Sequence, residues 1–391
     1  MSRMFAVFAP VVFLVPALAF ADEVAPTDPP PPQPEMAGSE PAAVTPVVTT
    51  TPVATPTEAA APANWWDTVV VGGLVDAYFS AQLRSDDETT FISDGHLRSF
   101  DGLNGQFVLN YAEVNLTMAP KPVGFRIDLG YGATSSAIAA LDTSRGAGTF
   151  ANVQQAYVSF QVPGLEALVV DFGRFVTTAG AEVIEAKDNW LYSRSLLFTL
   201  AIPASHVGVR ATYAATPELT LQLSIVNGWD NTLDVNTGKT FGVSGTYASG
   251  NSTAILTWYG GKEAFDADMR NLIDVVFTQK LSDQLTININ GDFGIEGDNK
   301  WFGIAAMGRY EVSKALRLSL RGEFFDDPQD FRIAFPGIEK INVTEISAGA
   351  GFPMGDHVEL KLEARIDIAS EAVFDTEKTQ PTLQLAALAW F

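Results

Sequence analysis

From Trp65 onward, apolar and polar side chains alternate along the chain with a period of two. The cleanest case is 358–368, where Val358, Leu360, Leu362, Ala364, Ile366 and Ile368 interleave with Glu359, Lys361, Glu363, Arg365 and Asp367. In 285–293, Leu285, Ile287, Ile289 and Phe293 face away from Thr286, Asn288, Asn290 and Asp292. In 316–324 the polar set is Arg317, Ser319, Arg321 and Glu323, and in 69–83 it is Asp76, Tyr78, Ser80 and Gln82. Successive side chains of a strand point to opposite faces, so each segment predicts a strand with one apolar and one charged face. A strand about ten residues long with those two faces suits a wall between lipid and a watery lumen.

The links between these segments alternate in length. Long or polar links are predicted at 84–104, 133–152, 176–205, 229–239, 260–268, 295–300, 326–340 and 369–380. Short ones fall at 119–124, 163–166, 215–218, 249–251, 281–284, 313–315 and 353–357, several with turn residues such as Pro163-Gly164 and Ser282-Asp283. Long loops on one side and tight turns on the other are the asymmetry of bacterial outer-membrane barrels. The pattern predicts an all-β fold, an antiparallel transmembrane β-barrel of about 16 strands, with 12 or 14 as alternatives. An even count puts both chain ends on the periplasmic side.

The last strand ends PTLQLAALAWF, with Leu383, Leu385, Ala387, Ala389 and Phe391 on one face. A terminal Phe on an alternating strand resembles the signal read by the barrel-assembly machinery, although the aromatic usual two places earlier is Ala389 here. Trp65, Trp66, Trp390 and Phe391 are expected to anchor the barrel at the membrane interface, where amphipathic rings collect.

The N-terminus differs in kind. A basic start, an apolar run from Phe5 to Phe20 and Ala19-Phe20-Ala21 before Asp22 predict a secretory signal peptide over 1–21. The run is too short, and too broken by Pro10 and Pro16, for a spanning helix. Residues 22–63 hold half of the chain's 22 prolines and no Lys or Arg, which predicts a disordered periplasmic linker before a barrel over 64–391.

Composition narrows the chemistry. A net charge of −22 argues against nucleic acid, and the absence of Cys with only three His leaves little for a metal centre. No cofactor is expected. Ser193 or Ser195 with His206 is one enzymatic alternative, an outer-membrane hydrolase, which would need hydrogen-bond reach between them. His96 and His357 fall in a loop and a turn, and the Glu359–Glu363 pair follows from alternation alone.

Several stretches, in order, resemble the OmpL-like β-barrel porins, the second such family of bacterial outer-membrane porins. They are Gly73-Leu-Val-Asp-Ala-Tyr78, Gln154-Gln-Ala-Tyr-Val-Ser-Phe160, Gly173-Arg-Phe175 with Gly180-Ala-Glu182, the run NWLYSRSLLFTLAIPASHVGVR from Asn189, and Val226-Asn-Gly-Trp-Asp230. The resemblance covers about 65–230 and implies a porin without naming a solute.

A barrel of ~16 strands encloses an aqueous channel unless loops fill it. Its inward side chains are then the functional ones. Pore-lining or constriction candidates are Asp76, Glu113, Arg126, Asp128, Glu182, Glu185, Lys187, Arg194, His206, Arg210, Arg309, Arg317, Arg321, Glu323, Lys361 and Arg365. Loop 176–205, the longest, is expected to fold inward and narrow the lumen. The acid excess predicts a weak cation preference, which a basic ladder of Arg317, Arg321 and Arg365 would reverse. Passive diffusion of small hydrophilic solutes or ions follows. The alternative is a non-conducting barrel serving as envelope anchor or adhesin. Outward small residues (Gly73, Ala77, Gly245, Gly291, Gly322) suggest a homo-oligomer in outer-membrane lipid.

Overall fold

The computed structural model describes residues 64–83, 91–92, 96–142, 144, 148–374 and 376–391, so the signal peptide and linker read from the sequence lie outside the described residues. Sixteen strands form one closed antiparallel barrel. The first quarter is β1 (Val70–Gln82), β2 (Phe107–Met118), β3 (Val123–Tyr131) and β4 (Val153–Gln161). Then come β5 (Leu168–Val176), β6 (Ser205–Ala214), β7 (Leu219–Val226) and β8 (Thr240–Ser249). Next are β9 (Ser252–Lys262), β10 (Met269–Lys280), β11 (Leu285–Glu296) and β12 (Asn299–Ser313). The wall is completed by β13 (Leu316–Asp327), β14 (Ile341–Pro353), β15 (Val358–Ala369) and β16 (Thr379–Trp390).

Each strand pairs with its sequence neighbours, and β1 pairs with β16 to close the wall. Closure leaves no strand edge, so backbone polar groups are satisfied within the sheet, as a hydrocarbon surrounding demands. The pleat does the sorting. On β15, Glu359, Lys361, Glu363, Arg365 and Asp367 are buried inside, while Leu362, Ala364 and Ile368 are exposed outside. The barrel is therefore inverted relative to a water-soluble domain, with buried charge and exposed Leu, Ile, Val and Phe.

The turns on the side carrying both barrel ends are short, down to two residues at 250–251 and 314–315. The opposite side carries the long links, with one exception: the link expected at 295–300 is a two-residue hairpin, Gly297-Asp298. Gly297 at φ 59° makes that turn, and Glu296 and Asn299 pair across it. Polar residues flanking a Gly read as a loop in the sequence, but they are ladder partners here.

Two surface expectations also need correction. Phe391 is exposed with Leu383, Leu385, Ala387 and Ala389, but Trp390 has the opposite parity and packs, half-buried, against the inner cluster of Tyr78, Ala186, Tyr192, Ala386 and Leu388. Trp65 and Trp66 remain exposed, their rings edge to face at 5.7 Å. The small outward residues belong to β1, β8, β11 and β13, so they form no single patch, and Gly73 is covered by the ring of Phe391.

Candidate functional site

The longest link, 177–204, runs inside the barrel. Its N–H and C=O groups cannot join the wall's ladder, so side chains on the wall take them up, as burial of a loop requires. Glu363 accepts the backbone N–H of Tyr192 at 2.7 Å and of Ser193 at 3.0 Å. Glu323 accepts Leu196 N–H at 2.8 Å. Lys361 Nζ donates to the carbonyls of Ala186, at 2.7 Å, and Asn189. Trp301 Nε1 donates to Ala201 O at 3.1 Å, and Thr178 meets Tyr259 Oη at 2.9 Å. Two strands from β15, on β1, Asp76 accepts the Tyr192 hydroxyl at 2.8 Å. The segment thus reaches from β1 across to β9, β12, β13 and β15.

Its middle is held by a charge network. Arg321 bonds Glu182 at 3.0 Å, Glu345 at 3.1 Å and Ser193 O at 2.9 Å. Arg365 pairs with Asp367 at 2.7 Å and reaches Arg194 O at 2.7 Å. From the β1–β2 link, Arg98 adds contacts to Asp101 at 2.9 Å and Asp367 at 3.2 Å. Burying these ions is tolerable because each has an opposite charge and hydrogen bonds. The basic ladder expected of Arg317, Arg321 and Arg365 is therefore not a ladder: Arg317 pairs with Glu311 and Glu359, and the other two pair with acids.

Residues 196–202 face β10–β14 with an apolar surface, packing Leu196, Leu197, Leu200 and Ile202 among Trp301, Phe325, Leu272 and Ile341. Gly303 makes room, because a Cβ there would sit 2.7 Å from Leu197. The outer end is pinned twice. Asp230 accepts the N–H groups of Ala204 and Ser205 at 2.8 and 2.9 Å, and Arg332 donates to Leu200 O at 2.6 Å. Burial pushes the Asp230 carboxyl up to about 6, against the pull of those N–H groups. Burial, then the like charge of Arg270, brings the Arg332 guanidinium down to about 10.

The sixteen charged or polar candidates divide by burial. Asp76, Glu113, Asp128, Glu182, Arg194, His206, Arg321, Glu323, Lys361 and Arg365 are buried. Arg194 is a staple within the segment, donating to the carbonyls of Val183, Tyr192 and Ile184 and stacking on Phe100. His206 lies between Phe175 and Tyr259, with Nδ1 on Gly228 O at 3.0 Å. Arg126, Glu185, Lys187, Arg210, Arg309 and Arg317 keep partial exposure. Around the segment's short 3₁₀ turn, Ala186–Asp188, the neighbouring charges are Glu113, Arg126, Asp128, Glu185, Lys187, Asp188 and Lys361. Arg126 pairs with Asp128 at 2.8 Å, Arg210 pairs with Asp171 at 2.8 Å, and Arg309 stands over Trp190.

The serine–histidine pairing is not made. Ser193 Oγ bonds Glu363 and Arg321, Ser195 Oγ accepts Phe198 N–H, and His206 Nε2 has no hydrogen-bond partner. The sequence places Glu345 and Glu363 on inward faces and Tyr192 in the long link without showing which groups they meet, and Arg98 was missed altogether.

A family model described as "Putative beta-barrel porin-2, OmpL-like" matches residues 68–391. The chain belongs to this porin family. No curated protein matches it. Among solved structures, the porin is similar to OmpTdeltaL8, a loop L8 deletion mutant of OmpT, an outer membrane protein of Vibrio cholerae. The TM-score is 0.57 at 10% identity, over 83% of this chain and 99% of that one. It is also similar to the outer membrane channel DcaP of Acinetobacter baumannii, with TM-score 0.54 and 15% identity over 83% and 97%. An anion-selective porin from Comamonas acidovorans gives TM-score 0.54 and 12% identity over 83% and 99%. These likenesses carry the fold, and the family carries the reading of an outer-membrane porin.

Proposed function

We propose that this porin is a passive diffusion channel for small hydrophilic solutes or ions, narrowed by the segment 177–204 and weakly cation-preferring. The observation that carries the reading is the inward course of that segment, tied to β1 and β15 on one side of the wall and to β9 and β12 across from it. Four acids, Glu113, Asp128, Glu185 and Asp188, stand against three bases, Arg126, Lys187 and Lys361, around its 3₁₀ turn. Charges at the narrowest ring weigh more on a permeating ion than the chain's net charge does. Arg321 and Arg365 are engaged by carboxylates, and Lys361 by the turn's own carbonyls, so these bases present little free positive charge.

In this reading, residues 1–21 direct export, and 22–63 lie on the periplasmic side, next to the start of β1. The exposed pair Trp65–Trp66 and exposed Phe391 sit at the membrane interface. The partly exposed Arg126, Arg210, Arg309 and Arg317 line the remaining passage, and Asp76, Arg321, Glu323, Lys361 and Arg365 shape it by holding the segment.

A second reading is favoured by the apolar cluster inside the barrel, where Leu97 and Phe100 from the β1–β2 link join residues 196–202. It is a barrel closed by its own loops and used as an envelope anchor. Conductance of the folded protein in a planar bilayer, under a salt gradient, separates the two. Discrete steps with a cation-signed reversal potential are expected of the channel. Silence from inserted protein overturns it in favour of the anchor.

A further inference from the structure

Away from the network that carries the inserted segment, one buried acid pair has no counter-charge. Asp274 on β10 and Asp292 on β11 stand directly opposite each other in the ladder. Both side chains face inward and are 0% and 1% exposed. Asp274 receives Asn290 Nδ2 at 2.8 Å and the backbone of Gly180, at the start of the segment. Asp274 Oδ2 and both carboxylate oxygens of Asp292 have no donor from any other residue, and the two carboxyls lie within hydrogen-bond reach of each other.

The surroundings supply no base. The one charged group outside the pair that acts on Asp292 is another acid, Glu323 on β13. The inward neighbours along β10 are Leu272 and Val276, and across from β11 stand Ala305 and Gly303 on β12. Two carboxylates in an apolar wall repel each other and have lost water, which is a costly arrangement without a partner. One shared proton would cancel only one of the two charges. A divalent ion cancels both.

We propose that Asp274 and Asp292 hold a hard divalent cation of the calcium type under the inserted segment. The donors are oxygens alone, which suits calcium rather than zinc or copper. Among the described residues no three His, Cys, Asp or Glu groups converge to hold a metal, so two carboxylates bind the ion and water completes its shell. Such a sparse site belongs with the weaker calcium sites, at about 0.1–1 mM. Its position beside Gly180 lets the ion hold the segment's first turn against β10 and β11.

The test uses the full chain folded in detergent, stripped with chelator and titrated with calcium chloride. Equilibrium dialysis against about 2 mM calcium chloride, above the expected affinity, should leave about one calcium per chain retained in excess of the bath. Calcium should raise the unfolding temperature of the wild type, because an ion that binds only the folded state stabilises it. Asp274→Asn with Asp292→Asn should lose both the bound calcium and the temperature shift. If that double variant fails to fold, the wild-type stoichiometry decides alone. No retained calcium, or an equal temperature shift in wild type and variant, overturns the site. So does an infrared carbonyl band of a protonated carboxyl that vanishes in Asp292→Asn, which identifies a shared proton instead. None of these readouts depends on whether the barrel conducts.

Discussion

Glu363 on β15 accepts both the backbone N–H and the side-chain hydroxyl of Ser193 in the inserted segment. With Tyr192 N–H, one carboxylate receives three donors from two adjacent residues. Glu363→Gln swaps an acceptor oxygen for an amide that faces a donor. Leaving such a buried group unsatisfied costs about 1–3 kcal/mol. The expected result is a segment with more freedom, seen as larger current noise in the open state of single channels, with the barrel itself still folded.

Selectivity should follow the acids around the 3₁₀ turn. A unit charge about 10 Å from a permeating ion in water weighs about 0.4 kcal/mol, or about a twofold change in permeability ratio. Asp188→Asn, at the exposed carboxylate of the turn, should therefore move the reversal potential in a potassium chloride gradient toward the anion side, by about twofold in permeability ratio. An unchanged potential would place the selective ring elsewhere.

The seam depends on a missing side chain. Gly73 and Phe391 exchange backbone hydrogen bonds at 3.1 and 3.2 Å. A Cβ on Gly73 would lie 2.6 Å from the Phe391 ring. Gly73→Leu should displace that ring and lower the fraction of heat-modifiable, folded barrel on gels. Gly322→Ala is the control, since a Cβ there meets nothing within 4 Å.

The outer junction of the segment should respond to pH through Asp230. Its carboxyl is raised from 3.8 to about 6, because burial disfavours the charge. The folded state then holds this proton more tightly than the unfolded chain does. Its stabilising contribution is fullest below about 3.8 and is lost as pH rises through about 6. Amides 204–206, corrected for intrinsic exchange, should be better protected at about pH 5 than at about pH 7.5. Asp230→Asn should flatten that difference while keeping an oxygen for the Ala204 and Ser205 N–H groups.

The wall was legible because a strand writes its two faces into alternate residues, and a lipid face and a wet face differ maximally in composition. The parity of Asp76, Arg321, Glu323, Lys361 and Arg365 could be read for the same reason. What each inward charge does was not legible. Arg321 and Arg365 look alike in sequence to Arg317, yet the first two are buried under the segment and the third is half-open. That difference arises from where 28 residues with no period of their own come to rest, through contacts such as Arg321–Ser193, which joins positions far apart in the chain. The hairpin at Gly297-Asp298 and the inward turn of Trp390 were missed because each hinges on one residue of register.

The inserted segment also bears on the order of assembly. Its partners lie on β1, β9, β12, β13 and β15, which spread over about half of the circumference, and most of those strands are synthesised after it. Those contacts cannot exist before their strands do, so the packing of 196–202 among Leu272, Trp301, Phe325 and Ile341 is completed late, once β10 to β14 stand in the wall.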